Sequence, residues 1–88
     1  MKKYRKRPIV VEAMRFDGSE RGKETLLQWG CPFKPFAYGD GIIIRTPFGS
    51  TGCAIGDWIV KDIAGEFYRV KNEIFQATHE EVQDETQK

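Results

Sequence analysis

The sequence predicts an α+β domain in which five to six short strands form a small, curved, mostly antiparallel sheet or partial barrel. Short apolar runs rich in β-branched and aromatic residues alternate with turn-forming glycines along the chain. The clearest pair, residues 58–60 and 67–70, is joined by a turn at 62–65 and forms a predicted β-hairpin. Two further segments have the caps and apolar spacing of helices, one after the first strand and a short one near the C-terminus.

The first strand and the first helix are predicted from residues 9–30. Residues 9–16, IVVEAMRF, are rich in β-branched side chains and end at the turn-forming pair 17–18. Apolar residues occupy both alternating sets of positions, which is typical of a central strand covered on both faces. Ser19 is a suitable N-cap for a helix over residues 20–29, and Gly30 is a suitable stop.

The remaining elements follow from turns and breakers. Two prolines interrupt residues 31–38, so this segment is either an irregular edge strand or a loop. Further strands are predicted at 42–46 and 51–54, and a second helix with an asparagine cap at 72–82. Because the connections are short, neighbouring strands should pair antiparallel.

The chain length of 88 residues suits one small domain, residues 1–88, with a basic arm at 1–7 and a polar tail at 83–88. Cys31 and Cys53 are too few for a secreted disulfide framework and lack the paired spacing of a zinc site, so we expect both to be reduced. The sequence has no apolar run of membrane-spanning length and no signal peptide. We therefore expect a soluble, intracellular protein without a membrane partner.

No group of residues has the pattern of a catalytic, metal or cofactor site. Asp57, Glu66 and His79 include an acid and a base, but the chain has one histidine and no nucleophile elbow. One histidine among scattered carboxylates is a poor transition-metal set. The glycines lie between predicted strands rather than in a phosphate-binding loop. The sequence thus predicts a protein that is not an enzyme and has no cofactor.

One carboxylate and four other side chains are the candidates for binding a ligand or a partner. Glu12 interrupts an apolar run, where a carboxylate must reach water, pair with a cation such as Arg45 or Arg69, or accept hydrogen bonds from a ligand. An ordinary ion pair at a strand edge is the structural alternative. Cations and aromatic rings that converge on a cleft between protomers would suit a nucleotide. The predicted site consists of Glu12, Arg45, Trp58, Lys61 and Tyr68.

The charges are unevenly distributed along the chain. The first seven residues carry five of the fourteen Lys and Arg side chains, so the remainder has nine basic against thirteen acidic residues and a net charge of −4. Such an arm can bind nucleic acid, an acidic partner or its own body, or simply remain solvated. The candidate nucleic-acid contacts are Lys2, Lys3, Tyr4, Arg5, Lys6 and Arg7. We expect this binding to be weak, because the acidic body repels phosphates.

The two ends, MKKYRKRPIVVEAMRFDG and GDWIVKDIAGEFYRVKNEIFQATHEEV, resemble those of a family of small uncharacterised proteins from tailed phages and prophages. The resemblance covers about half of the chain and excludes residues 19–50. Trp58 and His79 stand where many relatives have tyrosine. The resemblance implies a phage protein that acts inside a bacterium, and it implies no catalytic residue.

Phage proteins of this size without catalytic residues commonly act by binding. The leading expectation is therefore a counter-defence or host-modulating protein that binds a host protein or sequesters a nucleotide-type signal. The alternatives are a nucleic-acid-binding accessory protein and a structural, virion or replication-complex component. We also expect a homo-oligomer, because the apolar residues at 9–16 and 32–36 exceed what one small core easily covers.

Overall fold

The computed structural model describes residues 1–5, 7–36 and 39–82, which form two helices and six strands. The predicted arm residue Lys6 and the predicted polar tail at 83–88 lie outside the described residues. In chain order the elements are β1 (Glu12–Arg15), α1 (Glu20–Trp29), β2 (Phe33–Pro35), β3 (Ile42–Thr46), β4 (Gly49–Cys53), β5 (Trp58–Lys61), β6 (Phe67–Val70) and α2 (Asn72–Thr78). The α+β class is confirmed.

The strands form two three-stranded sheets in which every pair is antiparallel, as predicted. The first sheet has the order β1-β5-β6, and the second has the order β2-β3-β4. Strand β3 packs against β6, so the two sheets meet at one side. Within the described ranges they do not close into a barrel.

The core lies where the inner faces of the two sheets meet α1. Phe16, Leu26 and Ile59 are fully buried there with side chains from the second sheet. Helix α1 begins and ends as predicted, because the Ser19 hydroxyl accepts a 2.9 Å hydrogen bond from the backbone N–H of Gly22 and Gly30 adopts a left-handed φ of 93°. The other core residues are Cys31, Ile42, Ile44, Cys53 and Phe67.

The prediction of a central first strand over residues 9–16 is wrong in two respects. Strand β1 covers only Glu12–Arg15, and it lies at the edge of the first sheet. The physical reason is the length of its partner, because β5 ends at Lys61, opposite Glu12, and the chain then turns. Ile9 and Val10 consequently extend beyond the sheet and are exposed.

The second helix is also shorter than predicted and has a different cap. It ends at Thr78 instead of residue 82, and its N-cap is Lys71, whose side chain makes no capping hydrogen bond. The Asn72 side chain instead accepts a 2.9 Å hydrogen bond from the indole N–H of Trp58. The Phe75 ring stacks on the Trp58 ring at a centroid distance of 3.9 Å, so α2 docks on the sheet through this pair.

The prolines of residues 31–38 allow the edge strand β2, which was one of the two predicted alternatives. After it, the Phe36 ring covers two glycines of the second sheet. A Cβ atom on Gly52 would lie 2.5 Å from Phe36 Cζ, and one on Gly41 would lie 2.7 Å from Phe36 Cδ2. The absence of side chains at both positions therefore makes room for the ring. In the described part of the chain, no helix has the length and apolarity needed to cross a membrane.

Candidate functional site

The free edge of β1 presents backbone groups that the first sheet does not use. The Phe16 N–H donates a 2.9 Å hydrogen bond to the Asp57 carbonyl, so the peptide groups of even-numbered residues in β1 point toward β5. The hydrogen bonds on the other side of β5 agree with this assignment. The Asp62 N–H donates to the Glu66 carbonyl, so the even-numbered residues of β5 bond β6, and the odd-numbered Ile59 and Lys61 bond β1. The N–H and C=O groups of Ala13 and Arg15 therefore point outward, away from the sheet.

Two shallow grooves flank this edge, and Glu12 lines both. One, of about 370 Å³, lies between β1 and α1; the other, of about 280 Å³, lies at the N-terminal end of β1 beside the turn between β5 and β6. The first is lined by Glu12, Ala13, Met14, Thr25, Gln28 and Trp29. The second is lined by Val10, Val11, Glu12, Lys61, Asp62, Ile63 and Gly65. Both are open to solvent, and neither is an enclosed cavity.

A hydrogen bond across the first groove fixes Glu12. Its Oε1 atom accepts a 2.6 Å hydrogen bond from Trp29 Nε1, and the Trp29 ring packs edge-on against Phe67 with centroids 5.2 Å apart. Because Phe67 is a core residue, this contact ties the last turn of α1 to the sheet. Glu12 forms no ion pair with Arg45 or Arg69, the two cations that we expected as partners. Arg69 instead pairs with Asp57 at 3.9 Å.

Lys61 lies directly across from Glu12 in the register of β1 and β5. Its Nζ atom is 5.6 Å from the centroid of the Phe67 ring, on the inner face of the sheet. Glu12 and Lys61 thus place opposite charges on one face, next to each other, at the mouth of the second groove. Glu12 and Lys61 are thus two predicted site residues that the fold brings together on the inner face.

Trp58 and Tyr68 lie on the opposite, outer face of the first sheet. The register pairs Trp58 with Val70 and Tyr68 with Val60, whereas Lys61 pairs with Phe67, so strand alternation separates these aromatic rings from Lys61. Partial desolvation and the nearby Asp62 carboxylate raise the pKa of Tyr68 above its ordinary value. Trp58 belongs to a row of rings, because His79 stacks on Phe75 at 4.4 Å in line with the Trp58 contact.

Arg45 lies in the second sheet, where it is exposed and pairs in register with Ser50. It therefore lies apart from Glu12 and Lys61 on the inner face of the first sheet and from Trp58 and Tyr68 on its outer face. The sequence did not indicate Trp29 as a site residue, because its contact with Glu12 depends on how α1 packs on the sheet. The described arm residues Lys2, Lys3, Tyr4, Arg5 and Arg7 are all exposed and outside any helix or strand.

The cysteines are core residues without an exposed thiol. Burial raises the pKa of Cys31 to about 11. Burial, with a smaller contribution from the negative charge of Asp57, raises that of Cys53 to about 12. Among residues 1–5, 7–36 and 39–82, no group of three or more His, Cys, Asp or Glu side chains has metal-binding geometry. The chemistry that the edge of β1 offers is thus backbone hydrogen bonding, one carboxylate, one ammonium and apolar contact.

Comparison of the chain with protein-family models, with curated proteins and with solved structures finds no match.

Proposed function

We propose that this chain is a non-catalytic binding protein that adds an extended segment of a partner protein to the free edge of β1. The resemblance of its two ends implies a phage or prophage protein, so the proposed partner is a host protein of a bacterial cell. Its action there is counter-defence or modulation of the host.

The observation that carries this proposal is the outward direction of the Ala13 and Arg15 peptide groups. An open strand edge pairs readily with another extended chain, since main-chain hydrogen bonds supply affinity and flanking pockets supply selectivity. Here the two grooves flank the edge, and Glu12 faces both of them. A partner segment with a cationic side chain beside Glu12 fits this arrangement best.

A nucleotide-type signal is the less favoured ligand. Phosphate and base recognition needs cations and aromatic rings that converge on one cleft. In one copy of the chain, Lys61 faces the inner side of the first sheet, Trp58 and Tyr68 face the outer side, and Arg45 lies on the second sheet. The grooves beside β1 are also shallow and open to solvent, so neither encloses a compact ligand.

Two substitutions of one residue test strand addition. Ala13→Pro removes the outward N–H without removing a bond to β5, and proline is tolerated at a sheet edge. Ala13→Val adds comparable bulk but keeps the N–H, so it is the matched control. Tagged wild type and both variants are purified from phage-infected cells and weighed by native mass spectrometry, after circular dichroism shows that all three are folded.

The proposal predicts a host protein on the wild type and on Ala13→Val, at a stoichiometry that falls at least tenfold for Ala13→Pro. A bound small molecule in its place would favour sequestration of a signal. Equal retention of the host protein by Ala13→Pro and the wild type would contradict strand addition at β1.

Nucleic-acid binding by the arm is the second candidate, and the exposure of its described basic residues favours it. Binding of a labelled single strand should weaken steeply with salt, by roughly one unit of log-log slope for each phosphate contacted. Deletion of residues 2–7 should abolish it. Tight binding that survives both physiological salt and this deletion would place a nucleic-acid site on the folded body and would rank this function above protein binding. Neither groove nor arm favours a virion or replication-complex role.

A further inference from the structure

We propose that the segment added to β1 runs antiparallel to it and carries an apolar side chain followed, two residues later, by a lysine or arginine. The apolar side chain lies beside Met14 and the cation beside Glu12. This inference rests on the proposed function, because it describes the chain that pairs with the outward peptide groups of Ala13 and Arg15. It adds the direction of the partner segment and the side chains by which the edge selects it.

The groove between β1 and α1 lies on the free side of β1. Its lining residues come from β1 and α1 alone, and none comes from β5, which occupies the other side of the strand. Ala13 is among them, as expected for a residue whose peptide group points outward. A strand added at this edge therefore places its inner-face side chains in this groove.

Strand alternation fixes which side chains of the added segment enter the groove. Glu12 and Met14 lie on the inner face, since Met14 is in register with the fully buried Ile59. The outward peptide groups belong to Ala13 and Arg15, so these two residues form the hydrogen-bonded pairs with an antiparallel segment. Glu12 and Met14 then form the non-hydrogen-bonded pairs, in which opposite side chains are closest together. The two inner-face positions therefore make the strongest side-chain contacts.

The groove has the chemistry for one apolar and one cationic side chain. Glu12 is the single charged residue among its lining residues, which include the apolar Met14 and Trp29 and the neutral Thr25 and Gln28. Its carboxylate uses Oε1 for the Trp29 indole and forms no ion pair with any of the described residues. A lysine or arginine opposite Glu12 packs its aliphatic stem in the groove and brings its charge to the second carboxylate oxygen.

The outer face selects less strongly. The Arg15 Nε atom donates a 3.2 Å hydrogen bond to the Gly56 carbonyl, which directs the guanidinium toward the residues before β5. The middle residue of the partner lies opposite Ala13, which presents only a methyl group, so any strand-forming residue fits there. Antiparallel pairing is slightly more stable per residue than parallel pairing, and it fixes the order as apolar, any, cationic. A parallel segment needs the reverse order.

Two peptides of identical composition test the direction and the side chains. Each is a short capped peptide in which threonines flank a central Leu-Thr-Lys or a central Lys-Thr-Leu. Titrations follow the indole N–H resonance of Trp29, because this group lies in the groove. Wild type should bind the Leu-Thr-Lys peptide about fivefold more tightly, since the reverse order loses both inner-face pairs.

Glu12→Gln tests the charge, because it keeps an acceptor oxygen for Trp29 and removes the negative charge. Replacement of the peptide lysine by glutamine should weaken binding to wild type about threefold and should make little difference to Glu12→Gln. An equal effect on both proteins would overturn the selection of a cation by Glu12. Ala13→Pro should lose both peptides, whereas Ala13→Val should keep the wild-type preference.

This inference and the proposed function fail separately. Equal affinity of wild type for the two orders, tighter binding of Lys-Thr-Leu, or no binding of either peptide at millimolar concentration would overturn the inference. The proposed function would still stand if Ala13→Pro loses the host protein that the wild type retains. A preference for Leu-Thr-Lys that Ala13→Pro keeps in full would contradict strand addition and leave a groove that recognises side chains alone.

Discussion

The carboxylate of Glu12 accepts a 2.6 Å hydrogen bond from the indole of Trp29, seventeen residues further along the chain. This contact joins the edge strand β1 to the last turn of α1, and both residues line the groove between them. Glu12 lies in a strand whose outward peptide groups are free of the sheet, so the bond orients a polar group beside an open edge. The same carboxylate keeps a second oxygen for a partner.

The Glu12–Trp29 bond should be separable from the charge of Glu12. Glu12→Gln keeps an acceptor oxygen and should leave the free energy of unfolding nearly unchanged, whereas Glu12→Ala should lower it by about 1 kcal/mol. Urea unfolding measures the difference. The indole N–H resonance of Trp29 should shift in Glu12→Ala and remain close to its wild-type position in Glu12→Gln. An unshifted resonance in Glu12→Ala would show that the indole bonds elsewhere.

Phe67 should be one of the most costly residues to truncate. It is 8% exposed and contacts Trp29, so Phe67→Ala should lower the free energy of unfolding by roughly 3 to 5 kcal/mol. Phe48→Ala removes the same atoms from a side chain that is 90% exposed and should change it by less than about 1 kcal/mol. Equal denaturation midpoints for the two variants would contradict the assignment of Phe67 to the core.

Alanine substitutions at Gly18 and Gly65 should distinguish the cost of backbone strain from the cost of side-chain crowding. Their φ angles are 79° and 83°, so alanine at either position should cost about 1 to 2 kcal/mol of unfolding free energy. A Cβ on Gly18 would also lie 2.7 Å from Ile55 Cδ1, whereas one on Gly65 has no neighbour within 4 Å. Gly18→Ala should therefore be the more destabilising substitution, and Ile55→Ala should recover part of the difference. A thermal melt that ranks them in the opposite order would refute the contact.

The free energy of unfolding should fall at alkaline pH, because the two cysteines ionise more readily in the unfolded chain than when they are buried. Their pKa values in the folded protein, about 11 for Cys31 and about 12 for Cys53, exceed the ordinary thiol value of 9.0. The unfolded chain thus releases these protons first, so the stability they contribute is complete below pH 9 and is lost as the pH rises from 9 toward 11 and 12. Urea midpoints between pH 8 and pH 10 should fall more steeply for the wild type than for Cys53→Ala. A thiol reagent at pH 8 should label both cysteines only as fast as the protein unfolds.

The local sequence pattern predicts most of the helices and strands. Helix α1 agrees with its predicted bounds because Ser19 and Gly30 make the capping contacts that their residue types favour. The hairpin of β5 and β6 agrees because Asp62 supports its turn, accepting hydrogen bonds from the backbone N–H groups of Ala64 and Glu66. These contacts join residues within four positions of each other, so the sequence displays them directly.

The arrangement of the candidate site depends on contacts between residues far apart in the sequence, which a local pattern does not reveal. Apolar residues on both faces indicated a central first strand, but the end of β5 at Lys61 leaves β1 short and at the edge. Strand alternation separates Lys61 from Trp58 and Tyr68, which composition alone had grouped. The Glu12–Trp29 bond depends on how α1 lies on the sheet, which is a property of the whole core.

Hydrogen exchange of two neighbouring amides tests the availability of the β1 edge most directly. The Met14 N–H points toward β5 and should be protected in every sample, whereas the Ala13 N–H points outward and should exchange rapidly in dilute protein. Addition of the host partner should slow exchange at Ala13 at least tenfold and leave Met14 unchanged. An Ala13 amide that stays unprotected in a complex of verified mass, or one that is already protected in the dilute monomer, would contradict strand addition at β1.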